Sequence, residues 1–475
     1  MPSVKKNIIY KILYELINIC IPVVTLPYIS RVLGADIIGD YSFAYSVIAY
    51  FMIFGTLGTS SYGSREISRN RNDKTTISKL FWEIEIVSLF TSSVCLIFWG
   101  FVISLSNKYM YYFLCLTPFI LSTMLDISWF FDGLEQVKRL IFRDSVIKVL
   151  STVSLFALVN DRADIYKYCL INSVFAVLGS ASMWICLPKF VCRVDVKSLH
   201  FFIHLKESIV YFIPTIAASI YTILDKTLIG LITKNSYENG YYDQATRILS
   251  MIKVFVYSSM NSVLTIRASY LYFEGKYLEA KNNIRDSVDF ILLLGIGTMF
   301  GIFSVSREFV PWFLGEGYEP VPDLLCIMAP LLVIIGISYS IGSQYYTPIG
   351  KRRLSTRFLI SGSVINLILN LFLIPVFSAK GATISSLVAE MVITVLYIIN
   401  CNGYITFSFI FCKTWKRIIA GTIMFFVLYF LQLDFSYHFL ELFSEMVIGI
   451  IVYILILFVL RDYSLLYFVK KFWKR

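Results

Sequence analysis

Long apolar runs, each about as long as a bilayer is thick, follow one another along almost the whole chain. We identify fourteen of them, at 8–29, 41–62, 80–104, 109–131, 142–159, 165–187, 208–232, 241–266, 287–306, 322–348, 356–376, 381–401, 415–433 and 441–460. A helix needs about 20 such residues to cross the hydrocarbon core. Only 15% of the 475 residues are charged, against roughly 25% in soluble domains. The alternating segments of a membrane β-barrel are absent. The sequence therefore predicts an all-α polytopic membrane protein with about 14 transmembrane helices.

The positive charges are distributed unevenly between the loops. If the N-terminus is cytoplasmic, 31 of the 42 Lys and Arg residues fall in inner segments and 6 in outer ones. Cytoplasmic loops carry such an excess in membrane proteins, so both termini are expected in the cytoplasm. The net charge of +11 is thus explained by topology and by anionic membrane lipids, and no nucleic-acid partner is expected.

A weak internal repeat divides the chain. "CIPVVT" (20–25) and "GDYSFA" (39–44) are matched by "FIPTIA" (212–217) and "GYYDQA" (240–245). Such repeats are common in secondary transporters, where the substrate site lies between the halves. We predict an N-terminal lobe of helices 1–6 (1–200), a C-terminal lobe of helices 7–12 (201–402), and helices 13–14 with a basic cytoplasmic tail (403–475). An amphipathic segment precedes helix 7, and its His200 and His204 are expected on a surface face.

The sequence contains no pattern typical of an enzyme. A nucleotide-binding glycine loop and a Gly-x-Ser-x-Gly motif are missing, and the nine cysteines are scattered without metal-ligand spacing. We therefore expect no catalytic residue, no metal and no cofactor. Coupling to H⁺ or Na⁺ is compatible with the buried acidic residues.

The remaining chemistry lies in charges inside the predicted helices. Four bases lie deep, Lys148, Lys226, Arg247 and Lys253, and the acidic residues are Glu83, Glu85, Asp126, Asp225, Asp289 and Glu390. Intramembrane charges are costly and usually functional. One interpretation is that they form salt bridges between helices. The other is that the bases line a cationic cavity for phosphate or pyrophosphate. Asp225 and Lys226 are poor partners for each other, because adjacent side chains diverge around a helix. Arg247 is a candidate partner for Asp225.

Several stretches together resemble a known family. They are "LPYISRVLGADIIGDYSFAYSVIAYFMIFGTLGTSSYGSREIS" (26–68), "DISWFFDGLE" (126–135), "LDKTLIGLITKNSYENGYYDQATRI" (224–248), "GSQYYTPIGKRR" (342–353) and "NLILNLFLIPVFSAKGATISSLVAE" (366–390). The chain resembles Wzx-type repeat-unit flippases of the multidrug/oligosaccharidyl-lipid/polysaccharide exporter superfamily. The resemblance implies a multi-pass protein of the bacterial cytoplasmic (inner) membrane with two six-helix lobes in a MATE-like V shape. It also implies transfer of undecaprenyl-pyrophosphate-linked oligosaccharide from the inner to the outer leaflet, for O-antigen or capsule synthesis, by alternating access.

The resemblance also indicates individual residues. By position, Arg31, Arg65, Asp126 and Trp129 match motif residues of the family. We expect Arg31, Lys148, Lys226, Arg247 and Lys253 to contact the diphosphate or acidic sugars, and Trp129 to stack on a sugar if it does not serve helix packing. Arg65, Asp126, Asp225 and Glu390 are expected in structural or ion-coupling roles. Arg65 also fits a purely topological role at the start of a cytoplasmic loop.

Three other functions stay open at this stage. A multidrug or cation antiporter of the same fold would need a net acidic cavity, whereas the four deep bases here favour a cationic one. A lipid II flippase would use nearly the same chemistry. A membrane polymerase or ligase would need a larger outer loop than 307–321. For a repeat-unit flippase, the expected partners are lipid-linked oligosaccharide, membrane lipids, a polysaccharide polymerase and a chain-length regulator.

Overall fold

The protein is helical throughout the part that can be described. The computed structural model describes residues 4–195, 199–431 and 438–473, and no strand occurs within them. The helices are α1 (Val4–Thr56), α2 (Thr59–Asn70), α3 (Lys74–Leu105), α4 (Met110–Leu116), α5 (Pro118–Met124), α6 (Ser128–Gly133), α7 (Val137–Leu158), α8 (Ile165–Trp184), α9 (Phe201–Thr233), α10 (Ser236–Lys253), α11 (Ser259–Phe273), α12 (Tyr277–Leu314), α13 (Val321–Met328), α14 (Leu331–Ile341), α15 (Arg352–Ile399), α16 (Phe407–Phe430), α17 (His438–Val459) and α18 (Ser464–Trp473).

Many of these helices are suited to a bilayer. Among the described residues, eight helical stretches are long and apolar enough to cross a membrane. The prediction of an all-α polytopic membrane protein is confirmed at this level. Two of the long helices are each divided by a residue with positive φ: α1 at Gly34 (φ 80°) and α15 at Ser378 (φ 51°). Each of these helices contains most of two of the predicted apolar runs, one on either side of the kink.

The glycines of the internal repeat lie against each other. A Cβ at Gly39 would lie 1.7 Å from the Ser236 carbonyl oxygen, and a Cβ at Gly240 would lie 2.0 Å from the Ala35 carbonyl oxygen. Neither position can hold a side chain, so glycine is required for this close contact between α1 and the start of α10. The glycines of the Gly-x-Tyr pattern that occurs in both copies of the repeat are therefore the residues at which α1 and α10 pack together.

The chain forms two compact units. The first contains residues 1–231 and 235–240, and the second contains 232–234 and 241–475. Aromatic and aliphatic side chains fill the core of each one: around Trp99 and Trp129 in the first unit, and around Tyr346 and Tyr397 in the second. The lobe boundaries predicted from the sequence remain predictions.

The segment before helix 7 differs from the expectation. Helix α9 runs without a break from Phe201 to Thr233, so the described part of the amphipathic segment continues directly into the apolar run. Residues 196–198 lie outside the described residues. His204, expected on a surface face, is only 9% exposed. That expectation is wrong because His204 lies on the face of α9 that packs against α2 and α3.

Helix α3 begins with a strong cap that makes its stability pH-dependent. The Asp73 carboxylate accepts hydrogen bonds from the backbone N–H groups of Thr75 (3.0 Å) and Thr76 (3.3 Å) and from both hydroxyls. Hydrogen bonds from the Thr76 and Thr75 hydroxyls are the main cause that lowers the pKa of Asp73 from 3.8 to about 2.

We predict that the Asp73 cap stabilises the protein fully above about pH 4 and loses this contribution as the pH falls toward 2, because a lowered folded-state pKa favours the ionised form. Thermal unfolding of Asp73→Ala and wild type between pH 2 and 7 checks this. The difference in unfolding temperature between the variant and the wild type should shrink as the pH approaches 2. A difference that is constant with pH would contradict the cap assignment.

Candidate functional site

In the first unit, Asp225 faces helix α1. Its side chain is 2% exposed and acts electrostatically on the Tyr50 hydroxyl. The neighbouring Thr227 hydroxyl lies 3.2 Å from the Tyr50 oxygen and donates to the Ser46 hydroxyl at 2.9 Å. Lys226, one residue away, is half-buried, and its carbonyl accepts a hydrogen bond from the Asn239 amide at 3.0 Å. Adjacent residues on α9 thus occupy different environments, as their divergence around a helix requires.

Two other predicted bases in the first unit lie on other helices. Arg31 is an exposed residue of α1 near the Gly34 kink. Lys148 is half-buried on α7, and its ammonium donates to the Asn18 side-chain oxygen. Arg65, on α2, donates to the Tyr211 hydroxyl and lies over that ring at 5.7 Å. The contact ties α2 to α9, which is a structural use of Arg65. The substrate contacts predicted for Arg31 and Lys148 remain predictions.

The second unit holds the other two deep bases. The Arg247 Nε lies 2.7 Å from a carboxylate oxygen of Asp243, which is fully buried one helical turn away on α10. Sequence reasoning missed Asp243, although an acid four residues before an arginine is the usual spacing for a helical ion pair. The predicted Asp225–Arg247 pair remains a prediction. Lys253, half-buried at the end of α10, is within electrostatic range of Glu390 on α15, which is 7% exposed.

Trp129 is enclosed by protein. Its ring stacks on Phe81 with the centroids 5.8 Å apart, and a Cβ at Gly63 would lie 2.4 Å from it. The side chain is 2% exposed, so the geometry favours helix packing over sugar stacking. Asp126, three residues earlier, is half-buried, and its carboxylate accepts from the Ser128 backbone N–H at 3.0 Å at the start of α6.

Glu85 is an unusual buried acid beside these residues. It is 0% exposed, and neither of its carboxyl oxygens accepts a hydrogen bond from any described residue. Asp126 and Trp129 are its polar neighbours, although the Trp129 indole N–H does not reach hydrogen-bonding geometry. A buried carboxyl without a cationic partner or hydrogen-bond donors is unusual, because burial of an unpaired polar group costs free energy. The sequence revealed this residue only as an acid in an apolar run.

A second buried acid on α3 belongs to a hydrogen-bonded network that the sequence did not reveal. His204 Nε2 lies 2.9 Å from a carboxylate oxygen of Glu83, and His204 Nδ1 lies 2.7 Å from the Tyr62 hydroxyl. The other Glu83 oxygen accepts from the His200 backbone N–H at 2.7 Å. The network joins α9 to the consecutive helices α2 and α3, and His204 lies 121 residues after Glu83 and 142 after Tyr62, so no local spacing could indicate it.

We predict that His204→Ala lowers the free energy of unfolding by about 1–3 kcal/mol, because one oxygen of the buried Glu83 carboxylate and the Tyr62 hydroxyl each lose the hydrogen bond to the imidazole. His200→Ala is the matched control, since the exposed His200 contributes to the network through its backbone N–H. Thermal unfolding in detergent measures both. Equal stability of the two variants would contradict the network.

A buried ionic cluster joins α12, α16 and the connection between α17 and α18. Arg417, 0% exposed, donates to the Asp289 carboxylate at 2.6 Å, to the Asp289 carbonyl at 2.8 Å and to the Asp462 carboxylate at 3.0 Å. Burial opposes ionisation of Asp462, but the Arg417 charge and hydrogen bonds from Ser464 outweigh it, so the pKa of Asp462 lies below its usual value. Sequence reasoning placed Arg417 among loop bases.

An apolar cavity of about 560 Å³ lies in the second unit, between α12, α16 and α17. It is lined mainly by aliphatic and small residues, among them Leu293, Gly297, Met424, Gly449 and Ile450. Near one end, the carboxylate oxygens of Glu308, Glu441 and Glu445 approach within 4.8 Å of one another. Acidic groups of this kind are common without an ion, so the cluster does not by itself define a metal site.

Comparison with known proteins places the chain in a family. The sequence profile of the family described as "Polysaccharide biosynthesis protein" matches residues 4–265, more than half of the chain. The chain belongs to this family. It is similar to a protein of Escherichia coli K12 named as an O-antigen transporter, with 24% identity over 408 residues that cover 83% of this chain and 95% of that one. It is also 24% identical over 217 residues, 46% of this chain and 45% of the relative, to the low-salt glycan biosynthesis flippase Agl15 of Haloferax volcanii.

Solved structures resemble this member of the polysaccharide biosynthesis family in fold. The lipid II flippase MurJ in an inward closed conformation superposes with a TM-score of 0.77 at 15% identity, covering 96% of this chain and 98% of that one. An inward-facing multidrug resistance MATE family transporter superposes with a TM-score of 0.56 at 12% identity, covering 88% and 96%. At these identities the likeness concerns the fold alone.

Proposed function

We propose that the protein is a flippase that moves undecaprenyl-pyrophosphate-linked oligosaccharide repeat units from the inner to the outer leaflet of the bacterial cytoplasmic membrane. The product would supply O-antigen or capsule synthesis. The observation that carries the proposal is the family match over 4–265, supported by a relative named as an O-antigen transporter that aligns over 95% of its length. The bases deep in the apolar helices support an anionic substrate.

The proposed architecture has fourteen membrane spans, two six-helix lobes in a V, and both termini in the cytoplasm. The kinks at Gly34 and Ser378 support this count, because each divides one long helix into two arms of membrane-spanning length. The excess of Lys and Arg in alternate loops supports the orientation. Transport would occur by alternating access around a site near the bilayer midplane.

In this proposal the two chemical parts of the substrate are treated differently. The diphosphate would be bound by Lys226, Arg247 and Lys253, with Arg31 and Lys148 along its path, because cationic side chains bind phosphate oxygens strongly. The polyprenyl chain would remain in an apolar environment. The apolar cavity of about 560 Å³ between α12, α16 and α17 is suited to hold part of an alkyl chain.

Transport needs a source of energy, and we propose coupling to H⁺ or Na⁺. Glu85 is the candidate carrier that the geometry supports best, because its carboxyl is buried and accepts no hydrogen bond within the described residues. We predict that Glu85→Gln keeps the fold and makes export insensitive to external pH. Export measured between pH 6 and 8 checks this, with Glu83→Gln as a structural comparison. An unchanged pH profile in Glu85→Gln would exclude Glu85 as the carrier.

Deletion of the gene with complementation tests the function. Without the protein, lipid-linked repeat units should accumulate in the inner leaflet, surface glycan should be lost, and drug sensitivity should not change. Repeat units that still reach the outer leaflet would contradict the proposal. A gain in drug sensitivity would indicate a multidrug antiporter, and accumulation of lipid II would indicate a lipid II flippase.

A further inference from the structure

A polar cavity of about 660 Å³ lies in the second unit between the beginning of α12, the beginning of α16 and the α17–α18 connection. It includes none of the deep bases Lys226, Arg247 and Lys253. Its lining residues belong to segments that the charge asymmetry assigns to the cytoplasmic side. Its volume is within the range of small-ligand sites. The proposed transport function does not use this cavity.

The charges at the inner end of the cavity balance one another. The Lys413 ammonium lies 3.1 Å from one carboxylate oxygen of Asp289, and Arg417 lies 2.6 Å from the other. Arg417 also pairs with Asp462 at 3.0 Å. Two bases thus meet two acids, and a fully buried guanidinium fixes their positions. This end of the cavity therefore carries no net charge that would attract a charged ligand.

The mouth of the cavity is net positive. Arg285, Lys416 and Arg461 line it, and Asp286 is the acid among them. The Arg285 guanidinium is held 5.5 Å from the Phe409 ring centroid, and the Asp286 carboxylate accepts a hydrogen bond from a tyrosine hydroxyl. Three bases against one acid leave an excess of positive charge that suits one phosphate group.

The surroundings of the mouth resemble a membrane interface. Tyr463 and Tyr467 line the cavity and are 55% and 48% exposed, and Trp415, 42% exposed, lies beside Lys416. Trp and Tyr side chains are enriched at the level of the lipid headgroups. A ligand in the mouth would thus place its phosphate among the bases and its apolar part beside exposed aromatic rings.

We propose that this cavity binds the headgroup phosphate of an anionic phospholipid of the cytoplasmic leaflet. Arg285, Lys416 and Arg461 contact the phosphate oxygens. The bound lipid is a resident of the membrane and is not transported. Basic pockets between helices on the cytoplasmic side bind such headgroups, with each Lys or Arg strengthening the attraction.

The test is binding of phosphatidylglycerol to the purified full-length protein in detergent, measured by native mass spectrometry against phosphatidylcholine. Lys416→Gln/Arg461→Gln should weaken phosphatidylglycerol binding roughly 25-fold, about five-fold for each charge removed. The matched control is Lys351→Gln/Arg353→Gln, which removes two exposed bases from another loop on the same predicted side. This control variant should bind phosphatidylglycerol as tightly as the wild type does. Thermal unfolding without added lipid verifies the fold, and the single exposed variant Arg461→Gln, expected to lose about five-fold, serves if the double variant is unstable.

Four results would overturn the proposal. The first is equal binding of the two lipids by the wild type, and the second is an equal loss in the control variant. The third is a preference for undecaprenyl pyrophosphate over phosphatidylglycerol that the double variant loses, because the cavity would then serve the transported lipid. Inorganic phosphate, added as a competitor, should not displace the lipid at millimolar concentration; if it does, free phosphate is the ligand. Binding is measured without transport, so its outcome is separate from that of the flippase proposal.

Discussion

Replacement of Arg417 by alanine is expected to lower the free energy of unfolding by about 3–5 kcal/mol, because it takes Arg417 from the Asp462 carboxylate and leaves Asp289 paired with Lys413 alone. Arg417 is 0% exposed and is shared by Asp289 on α12 and Asp462 after α17. Thermal or denaturant unfolding of the purified protein measures the loss.

Two further variants sharpen this prediction. Lys416→Ala removes a charge one residue away that is half-buried and lies outside the cluster, so it should change stability by less than about 1 kcal/mol. Arg417→Met/Asp289→Leu/Asp462→Leu removes the three buried ionic groups together and should recover most of the loss, because apolar residues can replace a buried ionic cluster and the remaining Lys413 side chain is 37% exposed. An equal free energy of unfolding for Arg417→Ala and Lys416→Ala would show that Arg417 does not stabilise the protein through this cluster.

Reversal of charge at Lys253 is expected to reduce export by roughly two orders of magnitude while the protein still inserts in the membrane. Loss of one charge-assisted contact to a phosphate costs about 1.5–3 kcal/mol, and Lys253→Glu adds repulsion. Export is measured as surface glycan in a complemented deletion strain, and insertion as the amount of protein in the membrane. Lys351→Glu, at an exposed loop position, is the control and should export normally.

The charge swap separates two explanations for that loss. Glu390 lies within electrostatic range of Lys253, so Lys253→Glu also disturbs this pair. If Lys253 serves only the pair, Lys253→Glu/Glu390→Lys should restore export. If Lys253 contacts the substrate, the swap should restore stability and leave export low. Full recovery of export in the swap would remove Lys253 from the proposed binding site.

The all-helical, multi-pass character of the protein could be predicted from the sequence because the bilayer imposes a simple rule on it. Apolar runs of fixed length must be helices in lipid, so the helices follow from composition alone. The repeat motif was also informative. Gly39 and Gly240, which correspond to each other in the repeat, are the positions where the backbones of α1 and α10 come into contact. The length rule could not show that Gly34 and Ser378 bend continuous helices, because a kink leaves the hydropathy of both arms unchanged.

The side-chain partners were much harder to predict. His204, Glu83 and Tyr62 come together only when three separate helices pack, and an i, i+4 histidine pair gave no sign of it. Arg417 looked like an ordinary cytoplasmic base because it begins an apolar run, yet it is fully buried. In both cases the depth of the residue depends on tertiary contacts. Asp243, by contrast, could have been predicted from its spacing to Arg247.

Transfer across a bilayer by the purified protein is the most direct test of the central claim. The protein is reconstituted in liposomes that carry undecaprenyl-pyrophosphate-linked repeat units, and an impermeant glycosidase is added outside. With the protein, nearly all of the lipid-linked sugar should become accessible over time. Protein-free liposomes should stop at about half, which is the share already in the outer leaflet, and Lys253→Glu should resemble them. Equal accessibility with and without the protein would contradict the flippase account.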